Sequence, residues 1–291
     1  MSDFRALLAE LAVPRLTGSP GHARVRDALR RELAARGCVA MEHRFRAQPG
    51  RWLVGAHASD AVTLIGVRPH TRVATWLVAH SDAKGQPLSM LARLGAIVLV
   101  AVGAVGAVGA LLMPWLVVAA AAGVALLALN RVTDHSPGAL DNATGLLTVL
   151  AILDQLPADA SVGVIFTDAE ELGLLGARAL VGERPQLLAG TTVINFDGID
   201  DRGPARVLRH RAGPVGVALA QALGTRARRF FPVIVDGTVL AQAAAECVTV
   251  VKGNWSTAAV VHRPGDRAER LTLEGVNQVA EAVARVLSRQ T

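Results

Sequence analysis

From residue 94 to residue 130 the chain runs for 37 positions without a charged side chain, between Arg93 and Arg131. A helix rises about 1.5 Å per residue and the hydrocarbon core of a bilayer is about 30 Å thick, so the run is long enough for two spans and too long for one. The Met113-Pro114-Trp115 step divides it, because proline suits the first turn of a helix and tryptophan suits a membrane interface. A helix in water ordinarily keeps a polar stripe, and this run has none. The expectation is therefore a transmembrane helical hairpin, about 94–113 out and 114–130 back, with a lipid bilayer as partner. Gly103, Gly106 and Gly109 in the first leg permit close helix contact in such a setting. The flanking arginines lie on one side and an uncharged tip on the other, which by the positive-inside preference places the rest of the chain in the cytoplasm.

This run accounts for much of the positive mean hydropathy, +0.38, and for a charged fraction of only 19%. The remainder of the 291 residues is ample for a substantial core. A net charge of +6 raises the question of nucleic acid, but the arginines are scattered. Pairs such as Arg30-Arg31 and Arg228-Arg229 lack interleaved aromatics, and the chain has no Tyr and six Phe. They read as a solvated face, and no nucleic-acid partner is expected. Cys38 and Cys247 stand alone in apolar surroundings without a CxxC pair, so neither suggests a zinc site or a disulfide. The first residues are amphipathic with both charge signs, which is not the pattern of a secretory signal.

Outside the apolar run, helices are expected at 3–12, 20–36, 142–156, 171–181, 214–223 and 271–288. The second opens at Pro20 and stops at Gly37, where a glycine beyond the C-cap is expected. Strands are expected at 39–46, 61–67, 73–79, 161–166, 191–196 and 246–251, from β-branched runs bounded by Pro, Gly or His. Strands alternating with helices give an α/β fold: a central, mostly parallel mixed sheet covered by helices on both faces.

Five stretches place acids or histidines at strand ends, where open α/β sheets put their ligand sites. They are AHSD with His80 and Asp82, ALDNATG with Asp141, DAEELG with Glu170 and Glu171, NFDG with Asp197, and VHRPGD with His262. Each has an ordinary structural explanation. His80 can be a strand-end histidine, Asp141 a helix cap, Thr167 with Glu170 a capping box, Asp197-Gly198 a turn, and His262 a loop residue. Together they form a mixed nitrogen and oxygen set that suits zinc or a similar divalent ion, large enough for two ions that share one carboxylate. One acid is then left over. Hydrolysis needs such an acid to take a proton from water held between two metals and return it to the leaving amine. Glu170 and Glu171, adjacent at a strand-to-helix turn, can point one to the metal and one to the water.

In order, spacing and wording these motifs resemble the co-catalytic di-zinc aminopeptidases of peptidase family M28, from the LTGSPG loop to the HRPGD segment. The resemblance implies a zinc exopeptidase fold with two zinc ions: His80 and Asp197 on one, Glu171 and His262 on the other, and Asp141 bridging. It implies Glu170 as general base and Asp82 as the acid that orients the first histidine. It also makes Asp141-Asn142 a candidate cis peptide. Departures are mild: HxDS becomes HSDA and DNASG becomes DNATG. The separation of His80 from Asp141, 61 residues, is long because it contains the apolar run, so the chain must leave and return on one side.

The organisation expected is one catalytic domain from 1–90 and 131–291 with an insert at 91–130. The activity expected is hydrolysis of N-terminal peptide bonds in a peptide or aminoacyl substrate, by a hydroxide bridging the two metals with Glu170 as base. The related di-zinc carboxypeptidases and deacylases commonly carry a lid domain between the last acid and last histidine, whereas only 64 residues separate Asp197 from His262 here. A glutaminyl cyclase-like variant normally works with one zinc and fewer ligands than the five retained here. A membrane-tethered binding module on a dead peptidase fold would ordinarily have lost a ligand or the base.

Overall fold

The computed structural model describes residues 3–108, 114–230 and 233–289. Eight strands form one sheet: β1 (Val39–Ala47), β2 (Ser59–Val67), β3 (Thr75–His80), β4 (Val162–Thr167), β5 (Thr192–Ile199), β6 (Ala205–Arg211), β7 (Ala227–Arg228) and β8 (Glu246–Lys252). Their order is β1-β2-β4-β3-β5-β8-β6-β7. β4, β3, β5 and β8 run parallel through the centre, while β2 joins β4 and β6 joins β8 antiparallel. The central strands are apolar on both faces, as a parallel strand between two helical layers must be.

One face is covered by α1 (Phe4–Leu11), α2 (Pro20–Ala35), α5 (Thr144–Gln155), α7 (Pro214–Ala222) and α10 (Glu274–Leu287). The other is covered by α6 (Leu175–Glu183) and the short α8 (Gly237–Leu240), which pack with Trp76 and Val193. The mixed sheet with helices on both faces is thus present. α2 begins and ends on its sequence signals. Ser19 caps it by accepting from the His22 amide at 3.2 Å, Pro20 occupies the first turn, and Gly37 follows with φ 73°.

The apolar run forms two helices, α3 (Met90–Val108) and α4 (Pro114–Leu129). They pack antiparallel, and glycines make the contact possible. A Cβ on Gly103 would collide with Ala120, one on Gly106 with the Leu116 side chain, and one on Gly123 would lie 2.7 Å from the Ala96 carbonyl. The glycines therefore serve contact within the chain. The pair is rooted where Gly85 and Thr133 exchange backbone hydrogen bonds of 2.6 and 2.9 Å, so the chain leaves and returns at one place.

The transmembrane hairpin, and with it the bilayer as partner, requires correction. Among the described residues no helix is long and apolar enough to cross a membrane. α4 has 16 residues, which at ~1.5 Å each is about 24 Å against about 30 Å of hydrocarbon. α3 has 19, but Arg93 sits in its first turn, and the uncharged part from Leu94 onward covers only about 22 Å. Gly109 and Met113 lie outside the described residues.

Candidate metal centre

β3, β4 and β5 end side by side at one edge of the sheet, and the loops that follow them carry most of the candidate residues. His80 closes β3, in register with Thr167 at the end of β4. Glu170 and Glu171 follow β4, and Asp197 lies near the end of β5. Asp141 comes from the segment before α5, and His262 follows α9 (Trp255–Val260). The Asp141-Asn142 peptide is cis.

The structure brings all five expected ligands together in two groups. His80, Asp141 and Asp197 form one, and Asp141, Glu171 and His262 form the other, with the ligand atoms of each group all within 4.8 Å of one another. Asp141 belongs to both. Its Oδ1 lies 3.0 Å from His80 Nε2 and its Oδ2 2.9 Å from His262 Nε2. His262 Nε2 is also 3.0 Å from Glu171 Oε1, and His80 Nε2 is 3.9 Å from Asp197 Oδ1.

The donor set fits divalent metal. Three carboxylates and two imidazoles converge, all from buried or half-buried residues, and oxygen with imidazole nitrogen is the combination that zinc takes. His80 Nε2 is buried and makes no hydrogen bond, although Asp141 Oδ1 lies 3.0 Å away. A buried ring nitrogen left without a hydrogen bond among carboxylates in this way is what a metal ligand presents.

The two adjacent glutamates are driven apart electrostatically. Burial raises Glu171, but the charges of His262 and Lys84 more than offset that and hold its carboxyl at about 2. Lys84 Nζ sits 2.9 Å from Glu171 Oε2. Glu170 is held well above the ordinary carboxylate range, chiefly by burial and then by the negative charges of Glu171, Asp197 and Asp236, which His80 only partly counters. For Asp141, burial again raises the group, but the neighbouring His262 and His80 rings hold it well below its usual value. The two neighbours thus differ in their hold on a proton: Glu171 gives it up readily and Glu170 retains it.

Asp82 sits beneath these groups, fully buried. Its Oδ1 accepts from the Glu170 amide and its Oδ2 from the Glu171 amide, each at 3.1 Å, so one carboxylate fixes the start of both side chains. Its backbone oxygen is the nearer partner of His80 Nδ1, at 3.1 Å, with the carboxylate at 3.5 Å. Thr17 of the LTGSPG loop donates to Asp168 at 2.9 Å and reaches Asp82 at 3.4 Å, which ties that loop to the site.

Sequence reasoning missed several supports. Asp266, in the HRPGD segment, accepts from the Leu140 and Asp141 amides at 2.7 and 3.2 Å and positions the shared ligand. Arg15, 0% exposed, donates to the carbonyls of Leu11, Val13, Ser81, Pro137 and Gly138, and so joins the segments that carry Asp82 and Asp141. Nothing local marks it, since an arginine between helices reads as solvated. Arg15→Met strands several buried carbonyls, each costing about 1–3 kcal/mol, and is expected to destabilise the fold by more than about 3 kcal/mol. Urea unfolding measures this, and a loss under about 1 kcal/mol would contradict the assignment. The capping box suggested for Thr167 and Glu170 does not form: α6 begins only at Leu175, and Thr167 Oγ1 donates to Asp236 at 2.5 Å.

Among curated protein sequences none matches. Among solved structures, a glutaminyl cyclase from Porphyromonas gingivalis is similar with a TM-score of 0.68 and 15% identity, over 99% of this chain and 97% of that one. BSAP, a zinc aminopeptidase from Bacillus subtilis, gives 0.65 and 12% over 99% and 94%. An aminopeptidase from an Aneurinibacillus strain gives 0.65 and 11% over 98% and 92%. At such identities the likeness concerns the fold, which two activities share. The family profile described as Peptidase family M28 matches residues 72–287, most of the chain and every candidate ligand. The chain therefore belongs to peptidase family M28.

Proposed function

We propose that this chain is a zinc-dependent aminopeptidase that hydrolyses N-terminal peptide bonds with two metal ions. The observation that carries the reading is the pair of ligand groups joined by Asp141, with the proton-holding Glu170 beside them. His80 and Asp197 would hold one zinc, Glu171 and His262 the other, and Asp141 both. Zinc bound there lowers the pKa of water and polarises the scissile carbonyl.

The chain's own groups do the rest. Glu170 takes the proton of the attacking water onto its carboxylate and delivers it to the nitrogen of the departing amine. Its raised affinity for a proton suits both halves of that transfer. Asp82 keeps the Glu170 and Glu171 side chains on separate tasks by holding both amides. The surrounding carboxylates suit the free α-ammonium group of a peptide.

The competing activity within this fold is cyclisation of N-terminal glutamine, which releases ammonia and cleaves no peptide bond. A panel of aminoacyl anilides, their N-acetylated counterparts and a glutamine-initiated peptide separates the two. The aminopeptidase reading expects cleavage only where the α-amine is free, lost on chelation and restored by zinc. Ammonia release from the glutamine peptide without anilide cleavage would contradict it.

A further inference from the structure

Lys84 lies in the turn that follows β3, and its ammonium points into the metal centre, with 12% of the side chain exposed. Three of its contacts end on one residue, Glu171. The Lys84 amide donates to Glu171 Oε1 at 3.3 Å, Nζ pairs with Oε2 at 2.9 Å, and Nζ also donates to the Glu171 carbonyl at 3.1 Å. The backbone that carries Lys84 is itself pinned. Gly85 exchanges hydrogen bonds with Thr133, and a Cβ on it would lie 2.5 Å from Thr133 Oγ1 and 2.9 Å from the His135 amide nitrogen, so only glycine fits there.

The two oxygens of Glu171 therefore have different partners. Oε1 lies 3.0 Å from His262 Nε2, a fellow member of its ligand group. Oε2 is held by the ammonium. A carboxylate takes an ion through one oxygen or through both. An oxygen in a charge-assisted hydrogen bond already has its partner and is a poorer donor to a second cation. The carbonyl contact adds to this, because it ties Nζ to the backbone of Glu171. Rotating the carboxylate to turn both oxygens toward His262 would leave the ammonium behind and break the Oε2 contact.

We propose that Lys84 makes Glu171 a one-oxygen ligand. It is a positioning residue: Oε1 is offered to the ion held with Asp141 and His262, Oε2 is withheld, and one position on that ion stays open for substrate. The inference rests on the two-metal reading above.

The test is the visible spectrum of the full-length, cobalt-substituted protein, for the wild type, Lys84→Met and Lys84→Arg. Cobalt takes the same nitrogen and oxygen donors as zinc, and its visible bands weaken as the number of ligands around it rises. Methionine keeps an apolar stem and removes the ammonium. With Oε2 released, the band intensity at this ion is expected to fall by about twofold while about two cobalt stay bound per chain. Arginine retains the charge and the donors, and is expected to keep the wild-type spectrum. A Lys84→Met spectrum that matches the wild type overturns the proposal while the two-metal reading stands. So does loss of one cobalt from Lys84→Met, since Lys84 would then be a brace that the ligand group needs in order to form. Failure of the wild type itself to take up about two cobalt overturns the two-metal reading, and the role of Lys84 with it. Infrared spectroscopy of the zinc-loaded wild type decides the matter if Lys84→Met fails to fold. With Glu171→Gln to assign the bands, one-oxygen binding is expected to hold the two carboxylate stretches of Glu171 further apart than in a metal-free carboxylate. A narrower separation overturns the proposal.

Discussion

Glu170→Gln is expected to lower kcat by about 10²–10⁴, the usual contribution of a general acid–base group. Zinc content and melting temperature should stay at wild-type values. The size follows from what the amide removes: it neither accepts the proton of the attacking water nor carries it to the leaving nitrogen. The selectivity follows from the geometry. Glu170 is in neither ligand group, whereas Glu171, one residue on, contacts His262 and Lys84. The Asp82 carboxylate binds the amides of both residues and is untouched by the change. Steady-state kinetics with elemental analysis of the same sample checks this. A loss in kcat below tenfold would remove Glu170 from the mechanism.

Asp141→Ala should abolish turnover by a different route. Asp141 alone joins the two ligand groups, with one oxygen toward each histidine. Its removal is expected to take zinc from about two per chain to near zero. Asp197→Ala, which touches only the group containing His80, is expected to leave about one. Fluorescence and circular dichroism on the same preparations verify that the sheet is intact. Equal zinc loss in the two variants would argue against a shared carboxylate.

The parallel centre of the sheet was legible in the sequence because β3, β4, β5 and β8 are short apolar runs between breakers, and their boundaries fall within a few residues of expectation. The site was legible for a related reason. Parallel strands end at one edge, so acids and histidines that follow such runs converge whatever their spacing along the chain. β6 escaped notice because ARVLRHR carries Arg206, Arg209, His210 and Arg211 and reads as a charged loop. It pairs antiparallel with β8, with Arg206, Arg209 and His210 half-buried and Arg211 exposed.

The apolar run shows where composition stops being informative. It fixes the presence of two helices, but helix length depends on where each one starts and stops, and a uniform sequence carries few such signals. Arg15, Lys84 and Asp266 were not legible because their roles come from partners distant in the chain. Arg15 meets Gly138 and Lys84 meets Glu171, pairs 123 and 87 residues apart.

The central claim is a centre for two metals joined by Asp141, and the zinc content of the purified, zinc-saturated protein tests it most directly. Elemental analysis is expected to give about two zinc per chain, with aminopeptidase activity that falls as a chelator removes them. One zinc per chain at saturation, or none, would contradict the account.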